Sequence, residues 1–335
     1  MSPIIHAHDA TKWFAQKVPQ PGFSGALRNY LAPVTKQVKA VDGISFAIKA
    51  GEAVGYLGPN GAGKSTMIKM MTGVLVPTAG TVDVLGRVPH VERTTNAREI
   101  GVVFGQRSQL WWDLPLYESF ELHRRIYRVE KSRFDQIREE LVEMLQIGPF
   151  LDRPVRQLSL GQRMRGEIAM TLLHEPKILF LDEPTIGLDV VAKDVVRKLL
   201  ARINRERGTT IILTTHDLRD IEEICPRLIM VDDGKLLFDG PLASLNARFG
   251  VRRKLKLEFA ADPGMVTIAG GEPAGGEGVV REFLMPDDSR SLVDIIAALD
   301  AGAKLVDVSL HEPDIEEVIR TYYQSRRNVH PGMGG

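Results

Sequence analysis

The chain has 335 residues, and its 43 Lys and Arg are matched by 43 Asp and Glu. Balanced charge gives no global field that would draw nucleic acid or an anionic lipid surface. The length allows one large and one small domain with ample core. A single cysteine, Cys225, excludes an internal disulfide framework and reads as a small buried hydrophobe of a reducing compartment.

In chain order, His6, His8, Asp9 and Lys12 interrupt any apolar run at the start, so no secretory leader is expected. The longest apolar runs, 178–181 and 211–213, are strand-sized and far short of a membrane span, so a soluble, cytoplasmic protein is expected. Residues 15–37 read as a basic insertion containing Pro and Gly, with a short amphipathic helix possible at 25–31. From 38 to 245, strands and helices alternate, which predicts an α/β layer fold on a largely parallel sheet. Strands are expected at 41–48, 53–57, 81–85, 100–104, 177–181, 209–214 and 228–231. Asp233-Gly234 signals a hairpin into 235–238. Helices are expected at 134–145, 160–173, 191–204 and 218–224.

The most specific motif is Gly58-Pro59-Asn60-Gly61-Ala62-Gly63-Lys64-Ser65-Thr66, which fits G-x-x-x-x-G-K-[ST] between an apolar strand and a helix. Glycines let successive backbone N–H groups face an anion, and the helix start adds its positive dipole end. Lys64 then places a cation on the outer phosphates, and the Ser65 hydroxyl suits magnesium. Downstream, the apolar run 178–181 delivers Asp182 and Glu183 to the carboxyl edge of the sheet. Asp182 is a magnesium candidate and Glu183 a base for the attacking water. Gln106 and His216 follow two further strands on that edge. Gln106 is placed to reach magnesium or water, and His216 to sense the γ-phosphate; as isolated residues, either could be an ordinary loop or helix-start side chain. Ser159 opens a helix with Gln162 at the capping-box position, and the Gly161 backbone beside it offers a second phosphate clamp.

With these motifs in order, the chain resembles the ATP-binding subunit of an ABC transporter over roughly residues 1–245. The resemblance rests on Gly58 to Thr66, Gln106, the signature Leu158-Ser159-Leu160-Gly161-Gln162, Asp182-Glu183, Gly187-Leu188-Asp189 and His216. It implies a P-loop NTPase of the ABC type, with a mixed sheet core and a helical subdomain at about 107–172. It also implies ATP and Mg²⁺ as ligands and a head-to-tail dimer in which Ser159, Leu160, Gly161 and Gln162 act in trans. Asp189 would line the interface, and Trp13 or Phe14 would stack on adenine. The family's commonest signature has Gly where this chain has Leu160. That wording, with Gln106-Arg107-Ser108-Gln109-Leu110-Trp111-Trp112, resembles the bacterial exporter branch of daunorubicin- and viologen-type efflux ATPases.

The implied partners are a second ATPase subunit, expected as a homodimer, and an integral-membrane permease on a separate chain, with no nucleic acid. Trp111 and Trp112 are the expected permease contact, with internal packing the alternative, since adjacent tryptophans face different ways and aromatics anchor interfaces. The implied location is the cytoplasmic face of the inner membrane, peripheral through the permease, and the cargo drug-like, lipid or glycan. An importer ATPase with a small C-terminal domain, a soluble ABC ATPase acting on DNA or ribosomes, and a regulator without turnover are the alternatives. From 246 to 325 a small α+β module is expected, with strands at 252–259, 279–284 and 304–310 and helices at 291–299 and 314–322. Residues 326–335 would form a frayed tail.

Overall fold

A computed structural model describes residues 3–17, 35–105, 108–245, 253–268, 270–285 and 304–311. The helices expected at 25–31, 291–299 and 314–322, Gln106 and the tail 326–335 lie outside the described residues. Contacts divide the chain into two units, Met1–Leu242 and Ala243–Gly335.

The first unit is built on two sheets. Strands β1 (Ile5–Lys17), β2 (Thr35–Ile48) and β4 (Ala79–Val84) form an antiparallel sheet in the order β2-β1-β4. Pairing continues out to Lys17↔Thr35, so residues 15–17 and 35–37, expected within an insertion, are strand instead. The run 35–39, polar apart from Val38, is exposed throughout, so it lacks the apolar alternation that marks a strand in sequence. The second sheet has the order β5-β6-β7-β3-β8-β9: β3 (Ala53–Leu57), β5 (Ile100–Phe104), β6 (Ile178–Asp182), β7 (Thr210–Thr214), β8 (Arg227–Asp232) and β9 (Lys235–Pro241). Its pairs are parallel except β8–β9, a hairpin closed by Asp233 at φ 47° and Gly234 at φ 73°. Two positive φ values match the right-handed strand twist, the reason Asp-Gly recurs at such turns.

Helix α1 (Lys64–Met71) fills the space between the sheets, and its Met67, Ile68, Met70 and Met71 are fully buried. They share one core with Ile5, Ile44 and Val82 of the first sheet and Tyr56, Phe180 and Ile229 of the second. The strands of the parallel sheet are buried on both faces, so they read as continuous apolar runs. The phosphate loop is therefore mounted between two rigid layers.

Helix α2 (Arg93–Glu99) precedes β5. Helices α3 (Leu116–Tyr127), α4 (Lys131–Met144) and α5 (Leu160–Leu172) follow it. Neither α2 nor α3 was anticipated. Yet α3 buries Leu116, Ser119, Phe120 and His123, the i, i+3, i+4, i+7 stripe of a helix packed on one face. Helix α6 (Val190–Arg207) leads to β7, and α7 (Leu218–Ile224) follows it.

In the second unit, β10 (Arg253–Phe259), β11 (Glu272–Gly275), β12 (Val280–Met285) and β13 (Leu305–His311) form an antiparallel sheet in the order β11-β12-β10-β13. Its apolar side centres on Leu255, Leu257, Phe259, Phe283 and Met285. Strand β11 lies between the strands expected at 252–259 and 279–284, where no element was expected.

Candidate functional site

The loop between β3 and α1 borders a cavity of about 820 Å³, into which other elements also deliver polar side chains. Pro59, Asn60, Gly61, Gly63, Lys64, Ser65 and Thr66 line it from the loop, and Asp182, Glu183 and His216 from strand ends. Gly63 sits at φ 96°, and a Cβ there would lie 2.0 Å from the Ala40 carbonyl oxygen, so only glycine fits. Lys64 is almost fully buried and donates to the carbonyl oxygens of Gly58 (2.6 Å) and Pro59 (3.1 Å). Burial pushes its pKa below the usual lysine value, while the nearby Glu183 and Asp182 carboxylates pull it back up.

Parallel pairing brings Phe104, Asp182 and Thr214 into register at one sheet edge. There the Thr214 hydroxyl donates to Asp182 Oδ1 at 2.6 Å. One residue on, Glu183 takes φ 59°, a left-handed conformation that costs a non-glycine residue about 1–3 kcal/mol. Its N–H donates to the Thr214 carbonyl at 3.0 Å, which holds this turn in place. The Glu183 carboxylate then lies 3.0 Å from His216 Nε2. Burial raises the Glu183 pKa above the usual carboxylate range, opposed by the His216 and Lys64 charges.

Behind this edge is a buried network that the sequence reading missed. Asp220 on α7 is fully buried and accepts from Thr185 Oγ1 (2.5 Å), Thr215 Oγ1 (2.8 Å) and Arg197 Nε (2.5 Å). The only available sequence signal was a hydroxyl two residues after Glu183 and another just before His216.

The signature residues stand elsewhere. Ser159 caps α5 by accepting from Gln162 N (3.2 Å), and Gln162 Oε1 accepts from Ser159 N (3.0 Å), completing the capping box. None of Ser159, Leu160, Gly161 and Gln162 lines the cavity. Leu160 is 42% exposed and packs over Gly187: a Cβ at Gly187, whose φ is 71°, would lie 2.4 Å from Leu160 Cδ2. Asp189 caps α6 by accepting from Ala192 N at 2.8 Å. Half-buried Trp13 and exposed Phe14 lie on β1, with Lys12 Nζ 5.5 Å from the Phe14 ring centre, and neither lines the cavity. Trp111 and Trp112 are both exposed, and the Arg163 guanidinium lies 5.2 Å from the Trp112 ring centre. Of the expected cavity residues, Gln106 alone lies outside the described part of the chain.

Residues 41–186 match the family model described as ABC transporter. The chain is 33% identical over 210 residues to the ABC transporter ATP-binding protein NatA of Bacillus subtilis, covering 63% of this chain and 85% of that protein. It is also 33% identical over 291 residues to the daunorubicin resistance ATP-binding protein DrrA3 of Streptomyces coeruleorubidus, covering 84% of this chain and 90% of that one. Among solved structures, the dimeric post-hydrolysis state of the ATP-binding cassette MJ0796 bound to ADP and Pi matches with a TM-score of 0.59. It is 28% identical and covers 71% of this chain and 98% of that one. A phosphate loop, a carboxylate pair and a strand-tip histidine around one cavity, together with these relatives, establish that the chain belongs to the ATP-binding, ATP-hydrolysing subunits of ABC transporters.

Proposed function

We propose that two copies of this chain close head to tail around two MgATP molecules and drive a separate membrane exporter. The observation that carries the reading is the division of the machinery. Lys64, Asp182, Glu183 and His216 share one cavity, while Ser159 and Gly161 stand outside it at an exposed helix start. A clamp so placed serves a nucleotide held by another copy.

Within the cavity, the loop amides and Lys64 hold the triphosphate, since phosphoryl transfer needs positioning and charge stabilisation above all. Asp182 and the Ser65 hydroxyl are hard oxygen donors on this cavity that would hold Mg²⁺. That ion, when bound, neutralises charge developing on the phosphate oxygens. Glu183 orients a water and accepts its proton as the water oxygen bonds to the γ-phosphorus. The bond from that phosphorus to the β–γ bridging oxygen breaks, giving ADP and phosphate. His216, 3.0 Å from Glu183, steadies the carboxylate and donates to the γ-phosphate. Trp13 or Phe14 supplies the face on which adenine stacks, and Asp189 lies along the contact between copies.

Export is supported by the likeness to DrrA3, whose aligned share of this chain exceeds the whole first unit and so runs into the second. Among the described residues no helix is long and apolar enough to cross a membrane; in this reading the permease is a separate partner. Exposed Trp111 and Trp112 form its docking point, which holds the chain at the cytoplasmic face of the membrane.

The test is complementation. Ser159→Ala and Lys64→Ala chains, each inactive alone, regain ATPase activity when mixed, because one composite site is then intact. No recovery, with both variants folded and mixed dimers present, would refute sharing between copies.

A further inference from the structure

Glu167, in the middle of α5, is only 2% exposed, although no step of the chemistry uses it. Its Oε1 accepts from the Gln109 N–H at 2.7 Å, and its Oε2 from the Ser108 hydroxyl at 2.8 Å. That hydroxyl in turn accepts from the Leu110 N–H at 3.2 Å. A buried carboxylate is costly unless its lone pairs are met, and here the partners come from a segment 58 and 59 residues earlier. Two neighbours on α5 grip the same segment. A Cβ at Gly166 would lie 2.8 Å from Leu116 Cδ1 and 3.5 Å from Leu110 Cδ1, so the helix backbone approaches closely there. Arg163 covers Trp112. Residues 163, 166 and 167 follow the i, i+3, i+4 spacing of one helix face. On its far side the segment is tied to β5, where Gln109 Nε2 donates to the Val102 carbonyl at 2.6 Å.

We propose that Glu167 is a positioning residue, a latch that makes the segment carrying Trp111 and Trp112 move with the helix whose first turn carries Ser159 and Gly161. The inference rests on the functional reading above: α5 begins at the trans phosphate clamp, and the Trp pair faces the membrane partner. A rigid helix gripping the segment at three places transmits displacement of its own start, which loop contacts alone would dissipate. Burial raises the Glu167 pKa, opposed by the hydrogen bonds from the Gln109 N–H and the Ser108 hydroxyl and by the Arg163 charge.

The test uses the full-length chain with a slowly hydrolysed ATP analogue and reads amide hydrogen exchange. In the wild type, nucleotide slows exchange over 159–165 and 108–112 together. Glu167→Ala keeps the protection at 159–165 and loses it at 108–112. Its kcat falls about tenfold to a hundredfold while nucleotide affinity stays within about threefold, because only the latched population is competent. Glu167→Gln, which retains an acceptor for the Gln109 N–H, recovers most of both signals. If Glu167→Ala does not fold, Ser108→Ala at its exposed position carries the same test, with partial loss of protection at 108–112 expected. Unchanged protection there in a folded variant overturns the latch while leaving the ATPase reading intact. A wild-type chain that neither binds nor hydrolyses ATP overturns both.

Discussion

The Thr185 hydroxyl donates to the fully buried Asp220 at 2.5 Å, which ties the residue two places after Glu183 to the helix that follows His216. The same carboxylate receives Thr215, one residue before His216, and Arg197 from α6. One acid thus fixes the backbone on both sides of the 3.0 Å contact between Glu183 and His216. Replacing Asp220 by Ala leaves the buried Thr185 and Thr215 hydroxyls unmet and takes one carboxylate from Arg197, which keeps Asp217 at 3.0 Å and Glu223 at 3.5 Å, so it should cost about 1–3 kcal/mol of stability. Asp220→Asn keeps an acceptor for the hydroxyls and should retain more of both fold and turnover. Urea unfolding and steady-state ATPase kinetics check this. A folded Asp220→Ala chain with wild-type kcat would show that the network holds the fold but not the dyad.

Glu183→Gln should slow turnover by about 10²–10⁴ while preserving ATP binding, so that an ATP-bound dimer accumulates. The side chain must be ionised to accept a proton, and burial raises its pKa above the ordinary 4.5. The acidic limb of the kcat/KM profile should therefore fall at a higher pH than a solvent-exposed glutamate would give. The limb should disappear in the residual activity of Glu183→Gln. Size-exclusion chromatography with ATP and a pH–rate profile test the two parts, and a persistent limb in the variant would assign it elsewhere.

Leu160 and Gly187 make a direct double-mutant cycle. Gly187→Ala meets left-handed backbone strain, and its new Cβ would force the exposed Leu160 Cδ2 methyl, 2.4 Å away, to turn aside. Adding Leu160→Gly removes the collision and leaves the strain. The two substitutions should couple by about 0.5–3 kcal/mol, read from urea unfolding of the four chains. Strict additivity would mean the contact contributes nothing.

The His123–His174 pair predicts acid sensitivity. His123 Nε2 lies 3.0 Å from His174 Nδ1, His174 Nε2 lies 3.0 Å from the Ile100 carbonyl oxygen, and Tyr127 stacks on both rings. Burial lowers the pKa to about 3 for His123 and about 4 for His174, from an ordinary 6.5. Both stay neutral in the folded chain while the unfolded chain protonates. Their stabilisation is complete above pH 6.5 and is lost as pH falls toward 4, by up to about 1.4 kcal/mol per pH unit for each histidine. Replacing His123 by Gln should remove about one proton from that dependence. An unchanged slope between pH 6.5 and 4.5 would refute the assignment.

Local spacing made the phosphate loop, the capping box at Ser159 and the Asp233-Gly234 turn legible in the sequence, because each is fixed within a few residues. The strand tips were legible because buried parallel strands are uninterrupted apolar runs ending at Asp182 and Thr214. The supports behind them were not. Asp220 meets Thr185 across 35 residues and Glu167 meets Ser108 across 59, and those meetings depend on strand order and helix placement that no short pattern encodes. The outer ends of β1 and β2 were hidden for the opposite reason, since an exposed polar hairpin buries nothing that would write a period into its residues.

The backbone at Glu183 bears on how this subunit can be studied. Its carboxylate stands on a left-handed turn of the main chain that the Thr214 carbonyl holds. A replacement that keeps the chain's path leaves the surrounding scaffold undisturbed. Chemically silent versions of the protein should therefore be faithful portraits of the loaded machine, suited to trapping it together with its membrane partner.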